Sequence, residues 1–104
     1  MAKLICIYWR DIPAQVVGRA RREEGFRQEL DPRFAQAIDR AAMRAGRGSS
    51  DAYLEDWRRV SESVEGDLEA AVFARVAELE SEFSPEHLEK VVKAGGLVEK
   101  GNEE

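Results

Sequence analysis

The sequence has little of several residue types, and each shortage excludes something. One cysteine among 104 residues, Cys6, allows neither an intramolecular disulfide nor a metal site built from several cysteines, and it is typical of a reducing compartment. The single histidine, His87, has no nucleophile at a recognisable spacing. No apolar run approaches the roughly 20 residues of a membrane span, and no signal-peptide pattern precedes the first apolar run. We therefore expect a soluble, cytoplasmic protein with no membrane span.

Charge is abundant, and its sign changes along the chain. The net charge is −5, with 16 Lys and Arg against 21 Asp and Glu. Residues 1–60 carry twelve cations against nine acids, whereas residues 61–104 carry four against twelve. Such asymmetry indicates either an oriented interaction surface or simply solvated faces. Eleven of the twelve cations are arginine, which suits planar contacts to carboxylate or phosphate, but the interspersed acids argue against nucleic acid as a partner.

The chain is organised around one apolar run, residues 4–9, which reads Leu-Ile-Cys-Ile-Tyr-Trp. Six consecutive apolar residues predict a strand that is buried on both faces. Asp11 and Pro13 predict a turn, followed by a second strand over residues 14–22, in which Gly18 marks a bulge or a close approach. A turn at residues 23–25 and a short third strand over residues 26–30 complete this part.

Helix signals dominate the remainder. Asp31 and Pro32 predict the start of a helix that ends near residues 46–48, and a short helical turn follows at residues 52–54. Residues 57–65 fit both a strand and a helix, and their β-branched and serine content favours an edge strand. Asp67 begins a helix that extends to Phe83, and Ser84 with Pro85 begins a last helix that ends at residues 95–96.

These elements predict an α+β fold. A small antiparallel sheet carries helices packed on one face, in the order β-β-β-α-β-α-α, because strands come mostly before helices. Residues 1–97 form a single domain, and residues 98–104 form a flexible acidic tail.

The sequence offers no recognisable catalytic or metal-ligating set. His87 lies among glutamates on a predicted surface helix, and Cys6 is expected to pack as a small apolar residue. Glu78 and Glu82 lie one helical turn apart, as on many solvated faces, and residues 46–49 lack the lysine and spacing of a phosphate-binding loop. We predict no catalytic residue, no metal and no cofactor, and we leave the question of an enzyme open, with the residues favouring a non-enzyme.

Two sets of surface residues are candidates for binding. Tryptophan and arginine are enriched in the energetically dominant parts of protein interfaces. The candidate interface residues are Trp9, Arg10, Asp11, Tyr53, Trp57 and Arg58. The candidate anion-binding residues are Arg10, Arg19, Arg40 and Arg58.

Four segments carry a resemblance to a known family. They are residues 8–16, Phe34 with residues 37–45, residues 51–54, and Trp57 with Arg58. They resemble the bacterial "virulence factor" domain family, which consists of small stand-alone proteins and also forms a module of larger conserved virulence factors. The resemblance implies a bacterial, cytoplasmic setting and identifies no catalytic residue. It also implies an accessory role beside corrinoid- and folate-dependent one-carbon enzymes.

Three functions follow from these observations. The first is a non-catalytic accessory or interaction protein that docks on a larger bacterial enzyme or complex. The second is a small-molecule binding or catalytic domain whose anionic ligand lies among the candidate arginines. The third is nucleic-acid binding, which the acidic total disfavours. Association of the chain with itself stays open.

Overall fold

The computed structural model describes residues 2–20 and 23–98, and it forms four strands and four helices. The strands are β1 (Ala2–Trp9), β2 (Ile12–Ala20), β3 (Glu23–Glu29) and β4 (Trp57–Val64), and the helices are α1 (Pro32–Arg44), α2 (Ser50–Glu55), α3 (Leu68–Glu82) and α4 (Pro85–Lys93). The short α2 occupies the place of the predicted helical turn. The α+β class and the predicted order of the elements are confirmed.

All neighbouring strands are antiparallel, in the spatial order β3-β2-β1-β4. β4 therefore lies at an edge, as predicted for residues 57–65. The prediction of a turn at residues 23–25 is wrong, because these residues already belong to β3. The ladder with β2 accommodates Gly25 by a register shift, which keeps the segment extended where a turn was expected.

The turn between β1 and β2 comes earlier than the sequence suggested. Arg10 has φ 54°, in the left-handed region, and β2 begins at Ile12, so that Pro13 lies inside the strand opposite Tyr8. A register shift between Ile7 and Tyr8 accommodates this proline. The turn was predicted too far along the chain because an arginine, not a glycine, adopts the left-handed conformation.

The two faces of β1 differ in burial. Leu4 and Cys6 are buried on the face that α3 covers, whereas Ile5 and Ile7 on the opposite face are only half-buried. The prediction of a strand buried on both faces is therefore wrong over this stretch. An apolar run does not distinguish full from partial cover, since long neighbouring side chains can shield isoleucines without a second layer of helices.

α3 packs against the sheet at Gly18, the close approach that the sequence indicated. A Cβ atom at Gly18 would lie 2.7 Å from Cγ2 of Val72. Val72 is fully buried and belongs to the core, together with Phe34 of α1 and Leu88 of α4. Because Gly18 has no side chain, α3 can pack this closely against β2.

The helices begin at the predicted capping residues. Side-chain oxygens of Asp31, Asp67 and Ser84 each accept a hydrogen bond from the first turn of α1, α3 and α4, at 3.0, 3.2 and 3.2 Å. Proline at the first position of α1 and α4 adds a preset φ angle. These starts were predictable because a cap is a local signal.

None of the helices in the described residues has the length and apolar character needed to cross a membrane. At the end of the described chain, the backbone N–H of Val98 donates to Asp11 Oδ2 at 2.8 Å. The other residues of the predicted tail, 99–104, lie outside the described residues, and the boundary at residue 97 stays a prediction.

Candidate functional site

Three aromatic rings form a row at the hairpin end of the sheet. The centroids of Trp9 and Tyr53 are 5.9 Å apart in a stacked arrangement, and those of Tyr53 and Trp57 are 5.8 Å apart, edge to face. Trp9 is fully buried, and its Nε1 donates to the Tyr53 carbonyl at 2.8 Å. Tyr53 and Trp57 are half-buried, so the row runs from the core at Trp9 to the surface at Trp57.

The row borders two adjoining cavities that share Gln15 and Trp57. One, of about 370 Å³, lies between the sheet and α1 and is lined by Ala14, Gln15, Glu29, Leu30, Pro32, Ala35, Ile38, Asp39, Tyr53 and Trp57. The other, of about 540 Å³, opens on the uncovered sheet face and is lined by Ile7, Gln15, Trp57, Arg58 and Arg59. We call the two together the Trp57 groove. Its size lies in the range typical of ligand-binding clefts.

The charged side chains differ between the two cavities, since Glu29 and Asp39 line the one beside α1 and Arg58 and Arg59 line the one on the sheet face. The side-chain oxygen of Gln15 is buried and finds no donor among the described residues. Burial raises the pKa of the Tyr53 hydroxyl, and the charge of Asp39 adds to this effect. Asp39 and Glu29 are both exposed at the rim. The cavity beside α1 therefore combines aromatic walls with acceptors and negative charge, which suits a donor or a cation.

An ion-pair network holds the hairpin tip beneath the row. Asp56 Oδ2 accepts from Arg10 Nε at 3.1 Å and from Arg47 Nε at 2.9 Å. Arg10 also donates to the Gly95 carbonyl at 3.0 Å, and its backbone N–H donates to the Asp56 carbonyl at 2.9 Å. These contacts fix Arg10 in its left-handed conformation and tie the tip to α2 and to the end of α4.

Asp11 makes a second set of contacts beside this network. Its carboxylate pairs with Arg58 Nη2 at 3.1 Å, and Arg58 also donates to the Arg10 carbonyl at 2.8 Å. The Arg58 guanidinium lies over the Tyr8 ring, 4.6 Å from the centroid. Three contacts thus hold Arg58 in place, although its side chain is 48% exposed.

The six candidate interface residues lie together, in two layers. Tyr53, Trp57 and Arg58 line the Trp57 groove. Trp9 is buried behind Tyr53, and Arg10 and Asp11 hold the hairpin tip. Only the first three line the groove, and the others support them.

The four candidate anion-binding arginines do not share one pocket. Arg10 and Arg58 are neighbours, each paired with an aspartate. Arg40 makes two hydrogen bonds to Glu89 of α4, at 2.9 and 2.7 Å. Arg19 lies near the other end of β2, opposite Lys3. Neighbouring carboxylates already hold three of the four.

Several residues of the site were missed from the sequence. Gln15, Asp39, Arg47 and Asp56 come from four different elements or loops, and only tertiary packing brings them together. Tyr53 and Trp57 could be paired because they lie four residues apart. The others carry no local signal of a shared surface.

The described residues bring no three histidine, cysteine or carboxylate side chains close enough to hold a metal ion. Cys6 is buried, with its Sγ 3.6 Å from Arg75 Nη1, so its thiol packs in the core as expected. His87 stacks on Phe83 with the ring centroids 5.0 Å apart. Neither residue adjoins the Trp57 groove.

Fold and groove define a small α+β domain with an aromatic surface groove. A family model described as "Virulence factor" matches residues 7–92, which is most of the chain. The chain belongs to this virulence factor family, which confirms the resemblance seen in the sequence. A search of curated proteins and a search of solved structures gave no match.

The Asp56 network predicts a specific loss of stability in acid. Burial alone would raise the pKa of Asp56, but the hydrogen bonds from Arg47 and Arg10 outweigh it and hold the pKa below its usual value. A lowered pKa in the folded state means that the carboxylate stabilises the fold above its unfolded pKa, about 3.9. This contribution disappears as the pH falls through the folded pKa. Asp56→Asn should therefore be less stable than wild type at neutral pH, and the difference should shrink as the pH falls below the unfolded pKa of about 3.9.

Urea midpoints of both proteins at neutral and acid pH measure this effect. A difference that stays constant across the pH range would show that Asp56 does not carry it.

Proposed function

We propose that the protein is a non-catalytic interaction domain that docks on a larger bacterial enzyme or complex through the Trp57 groove. One-carbon enzymes are the first class of partner to test, because the family resemblance suggests them. The observation that carries the proposal is the half-buried pair Tyr53 and Trp57, which lines a groove of two adjoining cavities. Partly exposed aromatic rings that border a cleft are typical of the residues that dominate binding energy.

The buried Gln15 oxygen, which has no donor among the residues that the structure describes, supports the same proposal. A buried acceptor without a donor costs about 1–3 kcal/mol, and an incoming N–H or O–H group would recover part of this. A partner side chain that supplies that group would also cover the two aromatic rings.

The charge of the rim indicates the chemistry of that side chain. Asp39 and Glu29 place negative charge beside the aromatic walls, an arrangement that favours an arginine or lysine. Arg58 and Arg59 line only the other cavity, so an anionic ligand finds no support in the cavity beside α1. Basic residues of the partner are therefore the expected contacts.

Affinity purification of the tagged chain from the bacterium that encodes it, followed by mass spectrometry, tests the proposal. We expect one larger protein to accompany the wild type and to be lost with Trp57→Ala. Met43→Ala is the matched control, because Met43 is 75% exposed on α1 and lines neither cavity. Binding of the purified partner should weaken about thirtyfold or more with Trp57→Ala, as for a residue worth 2 kcal/mol.

The variant Asp39→Lys tests the contribution of the negative charge apart from that of the aromatic rings. If the contact is a basic side chain, this variant should weaken binding at least about tenfold while leaving the aromatic rings in place. Circular dichroism and thermal unfolding establish that each variant is folded. Recovery of the same partner at equal yield by wild type, Trp57→Ala and Met43→Ala would refute docking through the groove.

A further inference from the structure

The outer edge of β4 offers a second interaction surface. We propose that two copies of the chain pair through β4, antiparallel around a twofold axis at Val60, so that two four-stranded sheets form one sheet of eight strands. In the part of the chain that the structure describes, β4 pairs only with β1, so its other edge is free. An edge strand presents unpaired N–H and C=O groups that another strand can bind. The proposal does not depend on the docking function.

The two edges of the sheet differ in their protection. β3 contains Gly25, and its register with β2 shifts beside Gly18, which is an irregularity typical of protected edges. β4 pairs with β1 in unbroken register and contains no proline, glycine or lysine. Its residues 58–63 are all exposed. β4 is therefore the edge suited to pairing with another strand.

The direction of the backbone groups limits the registers. The Arg10 N–H donates to the Asp56 carbonyl at 2.9 Å, which marks a hydrogen-bonded pair next to β4. Hydrogen-bonded and non-hydrogen-bonded pairs alternate along an antiparallel ladder. The N–H and C=O groups at the odd-numbered positions 57–63 therefore point to the free edge. Two copies can hydrogen-bond only where odd-numbered residues face each other.

Three registers near the middle of β4 satisfy this condition, with the twofold axis at Arg59, Val60 or Ser61. The charges of the facing side chains favour one of them. A centre at Arg59 sets that guanidinium opposite its own copy, and a centre at Ser61 sets Glu62 opposite Val60. A centre at Val60 sets Arg58 opposite Glu62 twice and Val60 opposite itself. Opposite charges facing each other across strands stabilise a sheet, and like charges destabilise it. The centre at Val60 is therefore favoured.

The side chains at this centre are available. Val60 is 43% exposed, and the side chains of Arg58 and Glu62 are 48% and 47% exposed. Within one chain Arg58 pairs with Asp11 at 3.1 Å, and Glu62 pairs with Arg75 at 2.6 Å. Pairing would join these into a row of alternating charge, from Asp11 and Arg58 to Glu62 and Arg75 of the second copy. The pairs would be non-hydrogen-bonded ones, with Cα atoms about 4.5 Å apart, where side chains are closest.

Analytical ultracentrifugation of the full chain over a wide range of concentrations tests the proposal. The wild type should approach twice 11.7 kDa. Arg58→Glu and Glu62→Arg should each be monomeric at the same concentrations, because each places like charges opposite each other. An equimolar mixture of the two variants should dimerise, since both cross-strand pairs are then of opposite sign. Native mass spectrometry should find one copy of each variant in that dimer.

A second pair of variants tests the backbone contact. The Ser61 N–H points to the free edge, so Ser61→Pro should leave the β1–β4 ladder intact and raise the dimer dissociation constant at least about tenfold. Ser61→Ala keeps the N–H and should dimerise like the wild type. A wild type that stays monomeric, dimers of both charge variants, or a mixture that stays monomeric would each overturn the proposal. A monomer whose β4 instead takes a strand from another protein would overturn it as well.

Discussion

Trp9→Ala should reduce the free energy of unfolding by about 3–5 kcal/mol, which is the usual cost of removing a buried tryptophan. Trp9 is fully buried, stacks on Tyr53 and lies against Gly96, where a Cβ atom would approach the ring to 2.8 Å. Its Nε1 also holds the Tyr53 carbonyl. A domain of this size is stabilised by about 5–15 kcal/mol, so the variant should lose a large part of its stability.

Urea unfolding at one fixed protein concentration, followed by the fluorescence of Trp57, measures the loss. Trp9→Phe keeps an aromatic ring in the core but removes the Nε1 donor, so the Tyr53 carbonyl keeps only the longer hydrogen bond from the Asp56 N–H at 3.4 Å. This variant should cost about 1–3 kcal/mol. Trp57→Ala is the matched control, followed by circular dichroism. It should cost less than Trp9→Ala because its ring is only half-buried. A Trp9→Ala protein as stable as the Trp57→Ala protein would contradict the position of Trp9 in the core.

The tryptophans show how far the sequence predicts the site. The sequence placed Trp9 in the run predicted to be buried and also, with Trp57, among the candidate interface residues. Nothing in residues 8–11 decides between a core ring and an exposed one. The structure separates them, since α2 brings Tyr53 over Trp9 and leaves Trp57 at the groove. Which ring is covered depends on tertiary packing between segments 44 residues apart.

The fold was more predictable than the site because its signals are local. Asp31 with Pro32, Asp67, and Ser84 with Pro85 begin helices through contacts within one turn, and all three starts are confirmed. The turn at Arg10 was predicted too far along the chain for the opposite reason. Its left-handed backbone is held by Asp56 and by the Gly95 carbonyl, which lie far along the chain. The pattern of neighbouring residues in the sequence does not predict contacts between such distant segments.

Gly18→Ala should destabilise the protein by about 1–3 kcal/mol, the typical cost of overpacking, although alanine is otherwise the better residue in a strand. The added Cβ atom would lie 2.7 Å from Val72 Cγ2 and 3.0 Å from Leu68 Cδ1. Val72 is fully buried and cannot turn away into solvent. Either α3 moves from the sheet or β2 bends.

Val72→Ala removes the atom that the new methyl group would meet. Alone it should also destabilise the protein, because it leaves a cavity in the core. The double variant Gly18→Ala with Val72→Ala should be more stable than the sum of the two single effects predicts, by about 0.5–3 kcal/mol, since each change relieves the other. Urea unfolding of the wild type, the two single variants and the double variant measures this coupling. Strict additivity would mean that the distance between α3 and β2 is not set by contact between these two residues.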